Sequence, residues 1–413
     1  RGVVGGGLIL GAATLAVTAG NYALNVGLGR WLEPDEFGDV ALMVTVMLLS
    51  SVVVAGLQLA TASIVARSPW GASGSVEALR RVAFRLALVA GALLGVAAVP
   101  LAALLQVDQP SLLMVMAVGL PVHVLVGVDR GRVQGSGALG HLAATFAGEA
   151  ALRIVVTVVL VVVGWGSVGA TIGLNAGFLG ALALAGRPER GRSTGITGED
   201  RRLLRVTATN VGLLMLGTAI INNGDIVISK MLLEPAEAGR YAAVALVGRG
   251  IFFVVWSIQQ AAVPAVASAE SEGAAARIAL ATVMGSLATA AAMTAIAWRF
   301  DELIIRLAFG SDYLAVSGQL GRYALASSCF AVVSTIVTLD AARGRGDTAP
   351  VVVAGAIVQT GAVALAGSDV DAIVGAQIWS MVLLLGAVVA VRLRALLKST
   401  PVAVDRVSGG IRV

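Results

Sequence analysis

Twelve apolar segments of about twenty residues restrict the fold of this chain more than any other feature of its sequence. Charged residues make up only 13% of the 413 positions, against roughly 25% in an average soluble domain. A segment of about 20 apolar residues can cross the hydrocarbon core of a bilayer, and it must be helical there because lipid cannot satisfy free backbone groups. The sequence therefore predicts an all-α integral membrane protein with twelve transmembrane helices, over residues 3–27, 39–66, 82–105, 111–130, 139–163, 166–186, 206–229, 241–268, 276–298, 317–339, 349–367 and 370–394.

The basic residues are distributed unequally between the two sides of the predicted membrane. With a cytoplasmic N-terminus, 21 of the 29 Lys and Arg residues fall in inner segments, five in outer segments and three within spans. Basic residues accumulate in cytoplasmic loops, so this bias predicts that both termini are cytoplasmic. We attribute the net charge of +5 to the same bias and do not expect a nucleic-acid partner.

A seven-residue motif occurs twice, 201 positions apart. Residues 32–38 are LEPDEFG and residues 233–239 are LEPAEAG, so five of the seven positions match. Each copy follows the first apolar segment of its half, which indicates an internal duplication. Two amide residues recur at the same shift, Asn21 as Asn222 and Gln58 as Gln259.

The duplication predicts how the chain is organised. Six spans per half is an even number, so both halves enter the membrane with the same polarity and form a parallel repeat. We expect an N-terminal six-helix lobe over 1–186, a cytoplasmic linker over 187–205, a C-terminal six-helix lobe over 206–394 and a cytoplasmic tail over 395–413.

Charged residues within the spans are costly in lipid, so each of them marks a candidate site. Glu149 and Arg153 lie four positions apart in the fifth span and therefore share one helical face. Asp225 in the seventh span and Arg249 in the eighth lie within about one helical turn of the same depth, and Arg322 lies at a similar depth in the tenth. For both acid–base pairs, a structural ion pair and a substrate site are open alternatives.

In the functional alternative, Arg153, Arg249 and Arg322 bind an anionic substrate, whereas Glu149 and Asp225 act in coupling or gating. Amides that faced lipid would lack hydrogen-bond partners, so amides within spans are expected to face the protein interior. Four of them, in the first and seventh spans, are further candidate substrate contacts: Asn21, Asn25, Asn222 and Asn223.

The sequence offers little for catalysis. Two His and one Cys do not make a metal-binding set, and the chain contains no nucleotide-binding G-x-x-x-x-G-K-[ST] motif. No loop is long enough to hold a large extramembrane domain. We predict a protein that is not an enzyme and has no cofactor, with coupling to H⁺ or Na⁺ left open.

Three stretches resemble motifs of Wzx-type polysaccharide flippases, which belong to the multidrug/oligosaccharidyl-lipid/polysaccharide (MOP) exporter superfamily. Residues 30–38, RWLEPDEFG, resemble the family's R-x-L-G-P-E-E-F-G hinge, with Glu33 in place of the usual Gly. Asp225 followed by residues 233–245, LEPAEAGRYAAVA, is similar to the second-half pattern D … L-G-P-x-x-x-G-x-Y-x-x-A, and residues 130–135, RGRVQG, to the R-G-x-x-Q-G turn.

The resemblance implies two six-helix bundles that form a V around a central cavity and work by alternating access. It implies a multi-pass protein of the bacterial cytoplasmic membrane that moves a polyprenyl-diphosphate-linked oligosaccharide from the inner to the outer leaflet for surface polysaccharide synthesis. A polysaccharide polymerase or glycosyltransferases would then be its partners. MurJ-like lipid II flippases have two further spans, so the resemblance favours the polysaccharide branch.

Three alternatives compete with this function. A MATE-like drug or organic-cation antiporter shares the superfamily fold, but here the arginines within spans outnumber the acids three to two, which favours an anionic cargo. A major-facilitator transporter is suggested by residues 127–132, GVDRGR, although this motif falls between the fourth and fifth spans rather than the second and third. A membrane glycosyltransferase or polymerase would need convergent catalytic residues or a large outer loop.

Overall fold

The computed structural model describes residues 2–67, 72–186 and 212–399, together with Gly198. The predicted linker over 187–205, apart from Gly198, and residues 400–413 of the predicted tail lie outside this described part. The helices of the first half are α1 (Gly2–Trp31), α2 (Pro34–Arg67), α3 (Ala72–Val96), α4 (Ala98–Leu104), α5 (Ser111–Gly135), α6 (Leu139–Leu160) and α7 (Gly166–Ala185). Those of the second half are α8 (Gly212–Leu232), α9 (Pro235–Ala267), α10 (Glu272–Arg299), α11 (Asp301–Ala308), α12 (Leu320–Ala342), α13 (Ala349–Leu365) and α14 (Val370–Ser399). A 3₁₀ helix, Ser311–Gln319, precedes α12.

Helices of the two halves end and begin at equivalent positions around the repeated motif. Helix α1 ends at Trp31 and α8 at Leu232, whereas α2 begins at Pro34 and α9 at Pro235, each with the shift of 201 residues. Proline suits the first position of a helix because it needs no hydrogen-bond partner for its nitrogen and its φ is preset. The motif is therefore a helix stop followed at once by a helix start.

The two halves also pack internally in the same way. In the first half α2 and α3 pack on α5, α1 packs on α6, and α6 packs on α7. Their counterparts repeat this arrangement, because α9 and α10 pack on α12, α8 packs on α13, and α13 packs on α14. The duplication inferred from a short motif thus extends to the helix arrangement of each half.

Helices α6 and α7 are separate, antiparallel neighbours. The chain reverses through Gly164 and Gly166, which have φ values of 95° and 49°, in the region that glycine adopts without strain. A Cβ on Gly177 would lie 2.9 Å from the carbonyl oxygen of Glu149, and one on Gly180 the same distance from that of Gly148. Glycine on α7 thus allows the close packing that holds Glu149 in place.

By length and hydropathy, eight segments of the described chain could cross a membrane, or nine if α3 and α4, which meet at 60°, form one bent span. Residues 139–185 enter this number as one segment, although the reversal at Gly164 and Gly166 divides them. The described part of each of the twelve predicted segments overlaps a helix or the bent pair; residues 206–211 of the seventh lie outside the described residues. The number of twelve spans and the side of each terminus stay predictions.

Many large apolar side chains face outward, as expected for a protein surrounded by lipid. Leu365 is 89% exposed and Val96 is 83% exposed, and many others are more than half exposed. A soluble monomer rarely exposes apolar surface on this scale. The described chain is therefore an all-α, multi-pass membrane protein.

The two halves meet at the repeated motif itself. Helix α2 packs on both α8 and α9, and a Cβ on Gly38 would lie only 3.1 Å from the Cα of Gly239. A Cβ on Gly239 would in turn overlap the carbonyl oxygen of Pro34. The two copies of the motif thus contact each other, and we call this region the hinge end of the molecule.

Candidate functional site

In the first half, two buried arginines and a carboxylate that is 14% exposed, from α5 and α6, form one group, which we call the first cluster: Arg130, Glu149 and Arg153. The Nη1 atom of Arg130 lies 2.8 Å from Oε2 of Glu149, and Arg153 pairs with Oε1 of the same carboxylate, one turn further along α6. One carboxylate therefore lies between two guanidinium groups, and the first cluster keeps a positive charge.

Contacts within its own half orient Arg130. Its Nε donates to the hydroxyl of Thr145 at 3.0 Å and its Nη2 to the carbonyl of the same residue at 2.9 Å. Its guanidinium also stacks on the ring of Phe146, 3.9 Å from the ring centre, which adds a cation–π attraction. Arg153 instead points toward α1, where its Nη1 donates to the side chain of Asn21 at 3.3 Å.

In the second half, Asp225 of α8 is the centre of a group that we call the second cluster: Asp225, Tyr241, Arg249, Tyr323 and Gln377. The carboxylate accepts hydrogen bonds from Arg249 at 2.5 Å, from Tyr241 at 2.8 Å and from Tyr323 at 2.7 Å. Gln377 donates to the Tyr241 hydroxyl at 2.9 Å, which leaves the hydroxyl proton directed at Asp225. Both oxygens of Asp225 therefore have side-chain donors from α9 and α12.

Arg249 is held on one edge only. Its Nη2 bonds Asp225 and its Nε donates to the Tyr323 hydroxyl at 3.0 Å, whereas its Nη1 makes no hydrogen bond within the described chain. The guanidinium borders a small pocket of about 10 Å³ with polar groups from Asn222, Ser327 and Gln377, and its side chain is 12% exposed. Arg249 thus has an unused donor and lies beside a pocket.

Helix α1 lies between the two clusters. Asn21 accepts from Arg153 of the first cluster, and the next residue, Tyr22, donates to the carbonyl of Leu246 on α9 at 3.3 Å. Leu246 is three positions, about one turn, before Arg249. Both clusters therefore border the contact between the two halves at a similar depth.

The hinge end is closed by a buried ion pair between the halves. The Nζ of Lys230 lies 2.6 Å from Oδ1 of Asp39, and these side chains are only 1% and 2% exposed. Gln106 donates to the carbonyl of Met231 nearby at 3.1 Å, and Phe37 packs on Phe309 with ring centres 5.8 Å apart. Every hydrogen bond and ion pair that joins described residues of the two halves lies in the hinge-proximal part of the helices.

The structure distributes the predicted site residues unevenly. It brings Asn21 to Arg153 and Asn222 to the pocket beside Arg249. Asn25 and Asn223 donate to carbonyls one turn back in their own helices, at 2.8 Å and 3.1 Å. Arg322 lies apart from both clusters. It pairs with Asp371 and donates a hydrogen bond of 2.9 Å to Gln319, and its side chain is 31% exposed.

Sequence reasoning missed several of these groups. Arg130 and Lys230 stand at the ends of the predicted fourth and seventh spans and were not among the predicted site residues, yet both are buried in ion pairs. Tyr241, Tyr323 and Gln377 carry no charge, so a search for charged residues within spans passes over them. One signal was available, because Asp39 and Lys230 lie within one turn of the repeated motif, where the halves meet.

No protein-family model matches the sequence, and no curated protein matches it either. Solved structures do match. A multidrug resistance MATE family transporter of the MOP superfamily in an inward-facing conformation is similar with a TM-score of 0.73 at 16% identity, over 93% of this chain and 96% of that chain. The lipid II flippase MurJ in an inward closed conformation gives 0.73 at 13% identity, over 94% and 91%.

This chain has the MOP superfamily fold. An outward-facing MATE family transporter of the superfamily gives a TM-score of 0.61 at 17% identity, over 97% of this chain and 96% of that chain. The MOP fold thus covers nearly the whole chain, and the fold that the sequence resemblance implied is confirmed. The polysaccharide branch within the superfamily stays a prediction.

Proposed function

We propose that this protein is a flippase of the bacterial cytoplasmic membrane, which moves a polyprenyl-diphosphate-linked oligosaccharide from the inner to the outer leaflet for surface polysaccharide synthesis. The observation that carries the proposal is the Arg249 guanidinium, fixed on one edge by Asp225 and Tyr323 and left with Nη1 beside a polar pocket. A planar guanidinium held in this way is suited to pair with phosphate oxygens. The positive charge of the first cluster supports the same class of cargo.

The diphosphate and the sugars of such a cargo cannot cross hydrocarbon unaided, because charged and polar groups lose their hydration there. Arg153 and Arg249 on either side of α1 would replace water around the head group, with Asn21 and Asn222 as neighbouring amides. The lipid chain would stay on the lipid-facing side of the protein.

Alternating access would follow from rocking of the two lobes about their contact. In the described state the lobes are joined at the hinge end by the Asp39–Lys230 pair and by the packing of Phe37 on Phe309. With the predicted orientation, the hinge end faces outward, and the closed state accepts cargo from the cytoplasmic side. Opening the hinge end would have to break the Asp39–Lys230 pair.

Asp225 and Glu149 would couple this motion to H⁺ or Na⁺. Each is a carboxylate that anchors an arginine of the proposed cargo site. Neutralising Asp225 would release Nη2 of Arg249, which links the charge of one group to the cargo contacts of the other. Polymerase or glycosyltransferase partners belong to the same proposal.

A drug or organic-cation antiporter is the second candidate, since MATE family transporters share the fold. A cationic cargo needs a carboxylate with a free oxygen, but Asp225 accepts three hydrogen bonds and Glu149 lies between two arginines. Because all four carboxylate oxygens already have partners, these contacts favour the anionic cargo. No contact among the described residues favours a glycosyltransferase or a polymerase.

The proposal can be tested with purified protein in liposomes that contain a fluorescent undecaprenyl-diphosphate oligosaccharide, by following its appearance in the opposite leaflet with a membrane-impermeant quencher. Arg249→Gln is expected to weaken cargo binding about 10- to 100-fold, because a hydrogen bond to a charged group contributes roughly 1.5–3 kcal/mol. The control is Arg81→Gln, since Arg81 forms an exposed pair with Glu77 within α3. A wild-type protein that exports organic cations but moves no lipid-linked sugar would establish the antiporter instead.

A further inference from the structure

A groove on the outer surface of the second lobe lies between α10, α12 and α14. Its volume is about 380 Å³, within the roughly 300–1,000 Å³ of pockets that hold small molecules. Ala291 and Trp298 of α10, Leu325 and Cys329 of α12 and Leu385 of α14 are among its lining residues. None of these residues belongs to the two charged clusters.

The lining of the groove is almost entirely apolar. Its two hydroxyls, of Thr294 and Ser328, bond each other at 2.7 Å, and Ser328 donates to the carbonyl of Ala290 at 3.3 Å. Its rim includes Trp298, which is 57% exposed and therefore faces lipid in a membrane protein. An apolar groove that opens sideways to lipid suits a hydrocarbon chain that enters from the bilayer.

The groove and the Arg249 pocket lie on opposite sides of α12 at the same depth. Ser327 borders the pocket, and the following residues Ser328 and Cys329 line the groove. Along α14, Met381 borders the pocket and Leu385 lines the groove, one turn or about 6 Å further. Helices α12 and α14 pack against each other between the two cavities, so a single amphiphile that occupies both has to cross this contact.

Building on the proposed function, we propose that this groove holds the polyprenyl chain of the lipid-linked cargo while its diphosphate lies beside Arg249. The depth of the pocket separates this occupant from a resident phospholipid. Arg249 is the fifteenth residue of the 33-residue helix α9, about 21 Å from the hinge-end terminus, whereas a phospholipid keeps its phosphate at the membrane surface. A cargo in transit is the amphiphile whose charged head passes through the middle of the membrane.

The protein carries its own reporter for this test, because Cys329 is the single cysteine of the chain and lines the groove. The rate of its alkylation by N-ethylmaleimide is measured on the unaltered protein in phosphatidylcholine nanodiscs, with added undecaprenyl diphosphate or phosphatidylglycerol. Undecaprenyl diphosphate is expected to slow alkylation about tenfold, and phosphatidylglycerol to leave it unchanged. Equal protection by both lipids, or protection by neither, would overturn the proposal.

A matched pair of variants then fills the groove or spares it. Ala291→Phe places a ring in the groove, and Ala292→Phe places the same ring on the neighbouring exposed position of α10, which does not line the groove. Ala291→Phe is expected to abolish the protection of Cys329 and to slow flipping of the fluorescent cargo about tenfold, with Ala292→Phe like the wild type. Melting temperatures in detergent verify that both variants are folded.

The two proposals fail in different ways. If the wild type flips the cargo but undecaprenyl diphosphate does not protect Cys329, the groove assignment is wrong and the flippase function stands. If Cys329 is protected but no lipid-linked sugar is moved, the groove binds a polyprenyl chain and the proposed transport is wrong.

Discussion

The two charged clusters belong to lobes with the same helix arrangement, yet they stabilise buried charge differently. In the first cluster one carboxylate, Glu149, lies between Arg130 and Arg153, so one positive charge is left over. In the second cluster Asp225 has a single arginine partner and two tyrosine hydroxyls as further donors. The first cluster is positively charged, and the second is neutral and closely hydrogen-bonded.

This difference shows that duplication preserved the backbone and replaced the buried charges. At the repeat shift, Asp225 and Arg249 correspond to Leu24 and Leu48. An amide contact did persist, because Gln58 bonds Gln134 between α2 and α5, and Gln259 bonds Ser334 between α9 and α12.

Removal of the central carboxylate of either cluster should have the largest effect on stability and should distinguish the two clusters. Breaking a buried ion pair by removing one partner costs about 3–5 kcal/mol. Asp225→Asn leaves one arginine without a counter-charge, whereas Glu149→Gln leaves two that repel each other. Thermal unfolding in detergent should therefore show a larger loss of stability for Glu149→Gln, and a larger loss for Asp225→Asn would contradict the charge difference.

Removal of a whole ion pair should sharpen the same contrast. Replacing a complete buried pair by apolar residues is often neutral or stabilising by about 1–4 kcal/mol. Asp225→Leu combined with Arg249→Leu should thus recover most of the stability that Asp225→Asn loses. Glu149→Leu combined with Arg153→Leu should not recover the stability that Glu149→Gln loses, since Arg130 remains buried and charged. Equal recovery in both lobes, measured by the same unfolding experiment, would show that Arg130 is not held by Glu149.

The two repeated glycines of the hinge end should also respond unequally. Gly239→Ala brings a Cβ against the carbonyl of Pro34, whereas a Cβ on Gly38 meets the nitrogen of Gly239 at 3.0 Å. Overpacking typically costs about 1–3 kcal/mol, and we expect the greater loss, and a wider hinge end, for Gly239→Ala. Distances between spin labels on the two lobes report the opening.

Gly56→Ala is the control for these two variants, because nothing lies within 4 Å of its added Cβ. Within a helix this change should stabilise the protein by roughly 0.5–1 kcal/mol.

Arg322 should give the smallest effect. It pairs with an exposed carboxylate, Asp371, and exposed ion pairs contribute about 0–1 kcal/mol. Arg322→Gln should therefore change unfolding by less than about 1 kcal/mol and leave the cargo affinity close to that of the wild type. If the cargo affinity falls as far as in Arg249→Gln, Arg322 contacts the cargo as the sequence predicted.

The helices of the fold could be predicted from periodic and local features of the sequence. The apolar runs and the Pro-containing motif locate most helix ends to within about six residues, although α3 begins ten residues before the third predicted segment. Crossing lipid and starting a helix depend on neighbouring residues alone. The spacing of Glu149 and Arg153 was enough to place them together for the same reason. Asp225 and Arg249 were paired from their depths, since two consecutive helices that return from the same end bring equal depths close together.

Contacts between distant parts of the chain were decided by packing. Arg130 pairs with Glu149, Lys230 pairs with Asp39 of the other half, and Arg322 points away from the clusters. The hydropathy pattern does not distinguish these three partners. Hydropathy reports how deep a residue lies along the membrane normal and says nothing about the direction in which a helix face points. That direction is set by which helices pack against each other, and so the closed hinge end, the Arg249 pocket and the lipid-facing groove emerge only from the assembled lobes.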